Sequence, residues 1–267
     1  MNKQEILQEY KNSEERLLVA KILDKVEFTK TRNKIQFTDF LNLGEQDLAN
    51  KLLNKVGYNN FYFFGGKENT ERKILVIYPE KLTEEMARKN HNKMISVIRI
   101  KLPNDLKDEY DHRKYLGSII KLGVEREKTG DIFVQSLGAD IIVKNEIAKF
   151  LVQNLSSLTR FKSAEITEHG INELEDVEVQ KVEVSAIVLS LRLDSIVSVL
   201  ARTSRSKATE ILEQERVFVN YKLETKPSKQ VKVGDSITIR GKGKFEFREI
   251  AGNTKKGRYI IKIDKYV

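Results

Sequence analysis

Residues 192–244 carry the clearest structural pattern in the chain, and they read RLDSIVSVLARTSRSKATEILEQERVFVNYKLETKPSKQVKVGDSITIRGKGK. Apolar residues three or four positions apart in 193–200, and again in 208–212, predict two short helices, because that spacing places them on one helical face. Apolar residues alternate with other residues in 217–219 and 237–239, which predicts strands. The stretch therefore indicates a small domain in which two helices precede a sheet.

The start of the second helix combines a capping residue with positive charge. Asp194 in the first helix and Ser204 in the second stand where N-cap side chains accept hydrogen bonds from free backbone N–H groups. Arg205 and Lys207 fall in the first turn of the second helix. Because free N–H groups and the helix dipole favour anions at this end, the pattern predicts a helix terminus that binds phosphate.

The positive charge of the protein is concentrated in the same part of the chain. Residues 192–267 contain 18 Lys and Arg against 9 Asp and Glu, whereas the remaining residues contain 30 of each class. A compact domain with this excess attracts polyanions by releasing their counterions, and nucleic acid is the commonest such partner. The alternative is a basic surface that simply remains solvated.

The stretch resembles the S-four domain, a small RNA-binding domain named after the fourth protein of the small ribosomal subunit. The resemblance rests on Arg192-Leu193-Asp194, Ser204-Arg205, Ala208, Val217-x-Val219-Asn220 and Gly234-Asp235. Glycine is usual in that family at the positions of Glu215 and Tyr221, so differently built turns are expected there. The residues expected to bind RNA are Arg192, Arg202, Ser204, Arg205, Lys207, Arg216, Asn220, Tyr221, Lys222, Arg240, Lys242 and Lys244.

The composition indicates a soluble globular protein of the cytoplasm. It combines 40% hydrophobic with 33% charged residues and contains no cysteine, which excludes disulfides and thiolate metal sites. No run approaches the roughly 20 apolar residues of a membrane span, and residues 1–10 lack the apolar core of a signal peptide. The length suits up to three small domains. We predict domains at 1–85, 86–182 and 183–267.

The predicted fold class is α+β. In residues 1–85, two helices and two strands indicate an N-terminal α+β domain. Within the predicted domain 86–182, residues 94–168 follow the order β-α-β-β-α-β, the split unit of the ferredoxin-like fold found in RNA-recognition (RRM) domains. An acidic linker, 164–184, borders the C-terminal domain. The first and third of these strands, 95–101 and 139–143, lack the aromatic residues with which RRM domains stack bases. Any RNA contact by this domain must therefore use another surface.

Candidate catalytic and metal-binding residues are few. His112 could act as a general base, but no nucleophile or carboxylate accompanies it, so a structural or RNA-contacting role is favoured. His91 and His169 are isolated, which leaves no metal-ligand spacing. Gly65-Gly66-Lys67 and Gly241-x-Gly243 lack the rest of a phosphate-loop or dinucleotide motif. The sequence therefore predicts no enzymatic activity, metal, cofactor or small-molecule substrate.

Motifs along nearly the whole chain resemble the YlmH family. They are Phe37-Thr38-Asp39-Phe40-Leu41, Phe63-Phe64-Gly65-Gly66 with Glu71-Arg72-Lys73 and Tyr78-Pro79, His112-Arg113 with Leu116-Gly117, Arg126-Glu127-Lys128 with Gly130-Asp131-Ile132, Val219-Asn220-Tyr221, and Arg240-Gly241-x-Gly243 followed by Thr254-Lys255-Lys256. Tyr221 is a trait of that family, whereas Lys114 stands where an acid is usual. Secondary RNA contacts are expected at His112, Arg113, Arg126 and Lys128.

The resemblance implies an RNA-binding factor of ribosome-associated quality control. Its expected partners are ribosomal RNA and a stranded peptidyl-tRNA on the large ribosomal subunit, and a link to cell division is also implied. Two other functions stay open: an RNA-modifying enzyme of the pseudouridine synthase or methyltransferase type, and a cell-division scaffold. No cofactor loop or catalytic carboxylate motif is recognisable in residues 1–185, so we favour a non-enzymatic, monomeric, ribosome-associated factor without membrane contact.

Overall fold

The computed structural model describes residues 2–68, 70–174 and 181–266. The chain divides into two compact units, Met1–Val177 and Glu178–Val267, which we term the N-terminal and the C-terminal unit. Both contain helices and strands, which confirms the predicted α+β class. The middle of the predicted acidic linker, 175–180, lies outside the described residues. Glu165 and Glu168 at its start belong to a strand rather than to a connector.

The N-terminal unit begins with a three-stranded antiparallel sheet and four helices. Asparagines start the two longest helices, because the side chains of Asn12 and Asn42 accept hydrogen bonds from backbone N–H groups of the first turn. The strand order is β1-β3-β2, and the first of these strands is additional to the two predicted. The elements are α1 Lys3–Gln8, α2 Ser13–Arg32, β1 Gln36–Leu41, α3 Leu43–Lys55, β2 Phe61–Phe64, β3 Lys73–Ile77 and α4 Glu84–Arg88.

The same unit continues with the predicted β-α-β-β-α-β order. Its four strands form an antiparallel sheet in the order β5-β6-β4-β7, which is the ferredoxin-like arrangement. A glycine is required where β6 starts, because a Cβ atom on Gly138 would lie 1.8 Å from the carbonyl oxygen of Ile100. The elements are β4 Ile95–Lys101, α5 His112–Lys121, β5 Thr129–Gln135, β6 Gly138–Lys144, α6 Asn145–Asn154 and β7 Glu165–His169.

Both faces of this second sheet are covered. One face packs against α5 and α6 through residues such as Ile98 and Ile141. The other face packs against the first sheet, where Val97 and Ile142 share a core with Ile74. The predicted boundary at residue 85 therefore crosses a common core, and residues on its two sides belong to one compact unit. The division into three domains stays a prediction.

The C-terminal unit consists of a six-stranded antiparallel sheet and two helices. The apolar stripes of both helices share one core with alternate residues of the sheet, such as Val219, Ile237 and Phe245. Residues between these positions, such as Phe218, lie on the opposite face, which we term the open face. The strand order is β10-β9-β11-β12-β13-β8. The elements are β8 Lys181–Val188, α7 Leu193–Leu200, α8 Arg205–Glu213, β9 Val217–Val219, β10 Lys222–Leu223, β11 Ser236–Ile239, β12 Gly243–Asn253 and β13 Tyr259–Tyr266.

The two predicted helix caps have different outcomes. Ser204 caps α8, because its side chain accepts a hydrogen bond from the backbone N–H of Lys207 at 3.2 Å. Asp194 is not the cap of α7: Arg192 occupies that position without a side-chain hydrogen bond, and Asp194 is the second residue of the helix. The carboxylate of Asp194 is used for long-range contacts instead.

The turns on either side of β9 keep a geometry that favours glycine. Glu215 has a φ angle of +56° and Tyr221 one of +66°, so both residues adopt the left-handed conformation. The expectation of differently built turns is therefore wrong. The backbone path is the one that glycine adopts readily, and two residues with side chains follow it.

Replacing Glu215 with glycine is expected to raise the free energy of unfolding by about 0.5–1 kcal/mol. The left-handed conformation is unfavourable by roughly 1–2 kcal/mol for a residue with a Cβ, and the extra freedom of unfolded glycine offsets about half of that gain. Urea denaturation of the variant measures the change. Gln214 has an ordinary φ of −76°, so Gln214→Gly is the matched control and should be destabilising. Equal losses in both variants would contradict the argument.

Candidate nucleic-acid interface

Asp194 joins two predicted RNA-binding arginines at the start of α7 and α8. Arg192 donates to the two carboxylate oxygens from Nε and Nη2 at 3.2 and 3.0 Å. Arg205 donates to both from Nη2 at 3.2 and 2.9 Å and from Nε at 3.0 Å. The carboxylate also accepts the backbone N–H of Ser195 at 2.8 Å. The result is a fixed pair of guanidinium groups around one carboxylate.

Exposure differs sharply within this group. The side chain of Asp194 is 5% exposed, whereas those of Arg192 and Arg205 are 37% and 46% exposed. Burial alone would raise the pKa of Asp194, but the hydrogen bonds and charges of the two arginines outweigh it and hold that pKa below its usual range. The carboxylate therefore stays ionised, and the group presents a net positive charge at the surface.

The other RNA-binding residues predicted near the helix ends are close to Arg205 in the sequence and lie at the surface. Lys207 is exposed and pairs with Glu210, with Nζ 2.5 Å from the carboxylate. Arg202 is exposed, and its backbone adopts the left-handed conformation, with a φ angle of +53°. Ser204 is occupied as the cap of α8. We term Arg192, Arg202, Ser204, Arg205 and Lys207 the helix-end group.

A second group of predicted residues lies along the strands of the C-terminal unit. Arg216 donates from Nη2 to the carbonyl oxygen of Arg240 at 2.8 Å, and the guanidinium of Arg240 lies over the ring of Phe218 at 4.8 Å. Lys244 donates to the hydroxyl of Tyr221 at 2.7 Å. Lys222 and Lys242 are exposed. The strand group is the set of predicted residues on the sheet and its turns: Arg216, Asn220, Tyr221, Lys222, Arg240, Lys242 and Lys244. The helix-end group, by contrast, is carried by α7, α8 and the residues before them.

Asn220 has a structural role that its place in the motif did not reveal. Its side-chain amide donates to Asp235 at 2.8 Å, and its side-chain oxygen accepts the backbone N–H of Ser236 at 2.9 Å. These bonds tie the turn after β9 to the start of β11. They also explain why the Val219-Asn220 and Gly234-Asp235 motifs occur together in the sequence.

The four secondary candidates differ in their burial and in the groups that they contact. Arg126 binds the carbonyl oxygens of Thr129 and Gly130, and burial together with the neighbouring charge of Arg72 lowers its pKa to about 10. Desolvation, followed by the charge of Arg126, lowers the pKa of His112. The remaining candidates are Arg113, which is exposed, and Lys128.

Lys128 is held in an ion-pair network. Its Nζ lies 2.9 Å from Asp39 and 2.7 Å from Glu146. Burial would lower its pKa, but the hydrogen bonds to these two carboxylates raise it above its usual value. Lys128 thus links β1 to α6 within the N-terminal unit, and its charge is largely compensated.

Neither a metal site nor a membrane span is found among the residues that the structure describes. They contain no group of three His, Cys, Asp or Glu side chains that could hold a metal ion. None of the helices described above is long and apolar enough to cross a membrane.

Comparison with known proteins gives a match in each unit. The model described as "Putative RNA-binding domain in YlmH" matches residues 89–173, and the model described as "S4 domain" matches residues 191–237. A Bacillus subtilis (strain 168) relative, "Ribosome-associated protein quality control protein P2", is 28% identical over 255 residues, which cover 94% of this chain and 95% of the relative. These matches support a YlmH-family protein. The predicted resemblance to the YlmH family and to the S-four domain is thereby confirmed.

A solved structure, "Cell division protein ylmH from Streptococcus pneumoniae", is also similar, with 18% identity and a TM-score of 0.48 over 62% of this chain and 98% of that chain. The two matched family models lie one in each unit of the chain, residues 89–173 in the N-terminal unit and residues 191–237 in the C-terminal unit.

Two features of the C-terminal unit were missed in the sequence. The first is the use of Asp194 as a shared anchor for two arginines, which depends on a contact between separate helices. The second is the place of Phe218 and Tyr266 beside the predicted basic residues. Strand alternation provides a signal for Phe218, since it separates two buried valines.

Proposed function

We propose that this YlmH-family protein binds RNA on the ribosome, mainly through its C-terminal unit, and acts there without catalysing a reaction. The observation that carries the proposal is the pair of guanidinium groups around Asp194. Arg192 and Arg205 each use only Nε and Nη2 for the carboxylate. A guanidinium has five N–H donors, so each arginine retains donors that suit phosphate oxygens.

The relative from Bacillus subtilis bears the name of a ribosome-associated quality-control protein. By extension, we propose that the partners of this chain are ribosomal RNA and peptidyl-tRNA on the large ribosomal subunit. We further propose that it acts in the cytoplasm as a monomer, with the helix-end and strand groups as its RNA contacts. Mapping the nucleotides that crosslink to the protein in cells tests this choice of partners.

Replacing Arg202 and Lys207 with glutamate is expected to weaken binding to large subunits more than about tenfold at 0.15 M salt. Neither residue binds Asp194, so the fold should survive. For the unaltered protein, four to six phosphate contacts give a slope of log K against log salt of about −3 to −5. The double variant should make that slope less steep by about 1.4–1.8, because two contacts are lost. Co-sedimentation over a salt series measures both quantities.

Lys11→Glu/Lys34→Glu is the matched control. Both lysines are exposed in the N-terminal unit, and their replacement changes the net charge by the same amount. Binding by this control should stay close to that of the unaltered protein. If the control loses as much affinity as Arg202→Glu/Lys207→Glu, the C-terminal unit is not the main contact. Mass analysis of nucleosides after incubation with subunits tests the absence of catalysis, and modification beyond one event per protein molecule would refute it.

A further inference from the structure

A row of aromatic and cationic side chains crosses the open face of the six-stranded sheet. The strand register places Phe218 beside Thr238, and Thr238 beside Lys244. On the next pair of strands it places Tyr266 beside Lys181. Phe245 pairs with Lys265, so their neighbours Lys244 and Tyr266 are adjacent across β12 and β13. We term Phe218, Thr238, Lys244, Tyr266 and Lys181 the cross-sheet row.

Cations lie over the aromatic rings of this row. The Arg240 guanidinium is 4.8 Å from the centre of the Phe218 ring. The ammonium of Lys244 is 4.4 Å from the Tyr266 ring and 5.1 Å from the Tyr221 ring. Lys181 lies 4.8 Å from the Tyr266 ring. Aromatic groups and positive charges thus alternate across five strands, at distances typical of cation–π contacts.

The rings of the row are not part of the hydrophobic core. Phe218, Tyr221 and Tyr266 are half-buried, whereas the core of this unit is formed on the other face, with α7 and α8. Ring packing on the surface of the sheet is the ordinary explanation for one such aromatic residue. It does not explain why each ring has a cation over its face on a surface that no helix described in this unit covers.

An acidic row runs beside the cross-sheet row on the same face. The register aligns Glu246 with Asp264, and Asp264 with Glu183. These acids bind the flanking cations: Lys181 lies 2.7 Å from Glu246, and Arg248 contacts both Asp264 and Glu183. A polyanion is therefore repelled from the acidic row. Arg240, Lys242 and Lys244 lie outside the acidic row, in the turn between β11 and β12 and at the start of β12.

We propose that the cross-sheet row binds unpaired RNA nucleotides, with bases stacked on Phe218 and Tyr266 and phosphates held by Arg240 and Lys244. The inference rests on the proposed RNA-binding function and specifies single-stranded RNA as the ligand of this face. Strands are about 4.8 Å apart, so the two rings are separated by roughly 14 Å across three strand spacings. Sheet surfaces of this kind stack two or three bases in other RNA-binding domains.

The cross-sheet row should prefer single-stranded RNA to duplex RNA, because the two forms differ in which of their surfaces are accessible. In a duplex the faces of the bases are stacked on each other and the phosphates alone are available, whereas an unpaired nucleotide offers both. Stacking of a base on an aromatic side chain contributes about 1–3 kcal/mol. Arg240 and Lys244 have long, flexible side chains, which move from the rings to the phosphates when bases occupy the ring faces, whereas Lys181 stays bound to Glu246.

The test compares binding of a 12-nucleotide single-stranded RNA and its duplex by fluorescence anisotropy, using the full chain. Phe218→Leu/Tyr266→Leu keeps apolar side chains but removes the rings. It should lower affinity for the single strand by about 10- to 100-fold and leave duplex affinity within about twofold. Tyr266→Phe keeps the ring and removes the hydroxyl that binds Glu246, so it is the matched control and should bind almost normally.

Equal losses for both RNA forms, or no loss for either, overturn the stacking proposal even when Arg202→Glu/Lys207→Glu still impairs binding. Failure of the unaltered chain to bind either RNA would instead refute the proposed function. Photocrosslinking of unaltered protein to RNA containing 4-thiouridine gives a readout that does not depend on the stability of a variant. Crosslinked peptides should contain Phe218 or Tyr266, and crosslinks confined to other peptides overturn the proposal.

Discussion

Replacing Asp194 with alanine is expected to lower the free energy of unfolding of the C-terminal unit by about 2–3 kcal/mol. Removing one partner from a fully buried ion pair costs roughly 3–5 kcal/mol. We expect less here, because Arg192 and Arg205 are 37% and 46% exposed and water can hydrate them. Affinity for RNA should fall in the folded fraction as well, since the two guanidinium groups lose the carboxylate that positions them. Urea denaturation and binding are measured on the same samples.

The pH dependence of stability provides a second readout. The pKa of Asp194 is lowered in the folded protein, so its contribution is present above the unfolded pKa of about 3.9. It is lost as the pH falls through the folded pKa. The unaltered protein should therefore lose more stability on acidification than Asp194→Ala does. Parallel stability curves for the two proteins between pH 6 and pH 3 would show that the carboxylate contributes nothing.

Arg205 is a poor probe of RNA binding for the same reason. Arg205→Glu would place a second carboxylate beside Asp194, and the repulsion between them would destabilise the packing of α7 on α8. A loss of RNA binding in that variant would combine two causes. Arg205→Lys keeps the charge but loses the two-pronged contact, so its binding relative to its stability separates them.

Replacing Asp140 with alanine is expected to lower the free energy of unfolding of the N-terminal unit by about 3–5 kcal/mol. Asp140 and Arg99 are cross-strand neighbours on β6 and β4, and their side chains are 1% and 14% exposed. Two hydrogen bonds of 2.8 and 2.7 Å join them. Without Asp140, the Arg99 guanidinium would remain largely buried beside a cavity, with its bond to the carbonyl oxygen of Glu173 as a residual contact.

The double variant Arg99→Met/Asp140→Leu separates the desolvation of a charge from general loss of packing. Apolar side chains of similar size often replace a buried ion pair with little loss of stability. We expect this variant to be clearly more stable than Asp140→Ala in urea or thermal denaturation. If the double variant is the less stable of the two, the loss of the Asp140 carboxylate beside a buried guanidinium is not the cause.

The sequence was most informative where the structure depends on local periodicity. The β-α-β-β-α-β order was predictable because each element has its own apolar period and is separated from the next by a short polar segment. The two helices and the strands of the C-terminal unit were predictable for the same reason. The RNA-binding region could be located because the positive charge is confined to one part of the chain.

Features that depend on contacts between distant residues were missed. In the sequence, Asp194 looks like a helix cap because it lies at the start of a predicted helix. Its contact with Arg205 becomes visible only when the positions of both helices are known. The turn at Glu215 was missed because its left-handed conformation is imposed by the strands and helix it joins. The shared core of the two N-terminal sheets has only a weak signal in the sequence: Ile141, Ile142 and Val143 form a continuous apolar run, which is typical of a strand covered on both faces.

That shared core has a consequence for the synthesis of the protein. One side of strand β3, Lys73–Ile77, belongs to a core that also contains residues as late in the chain as Leu174. A ribosome adds about 5–20 residues per second, so roughly 100 further residues take about 5–20 s to emerge. During that interval one apolar side of the nascent sheet has no partner of its own. Nascent chains halted between residues 80 and 140 are therefore expected to expose this apolar side and to bind chaperones there.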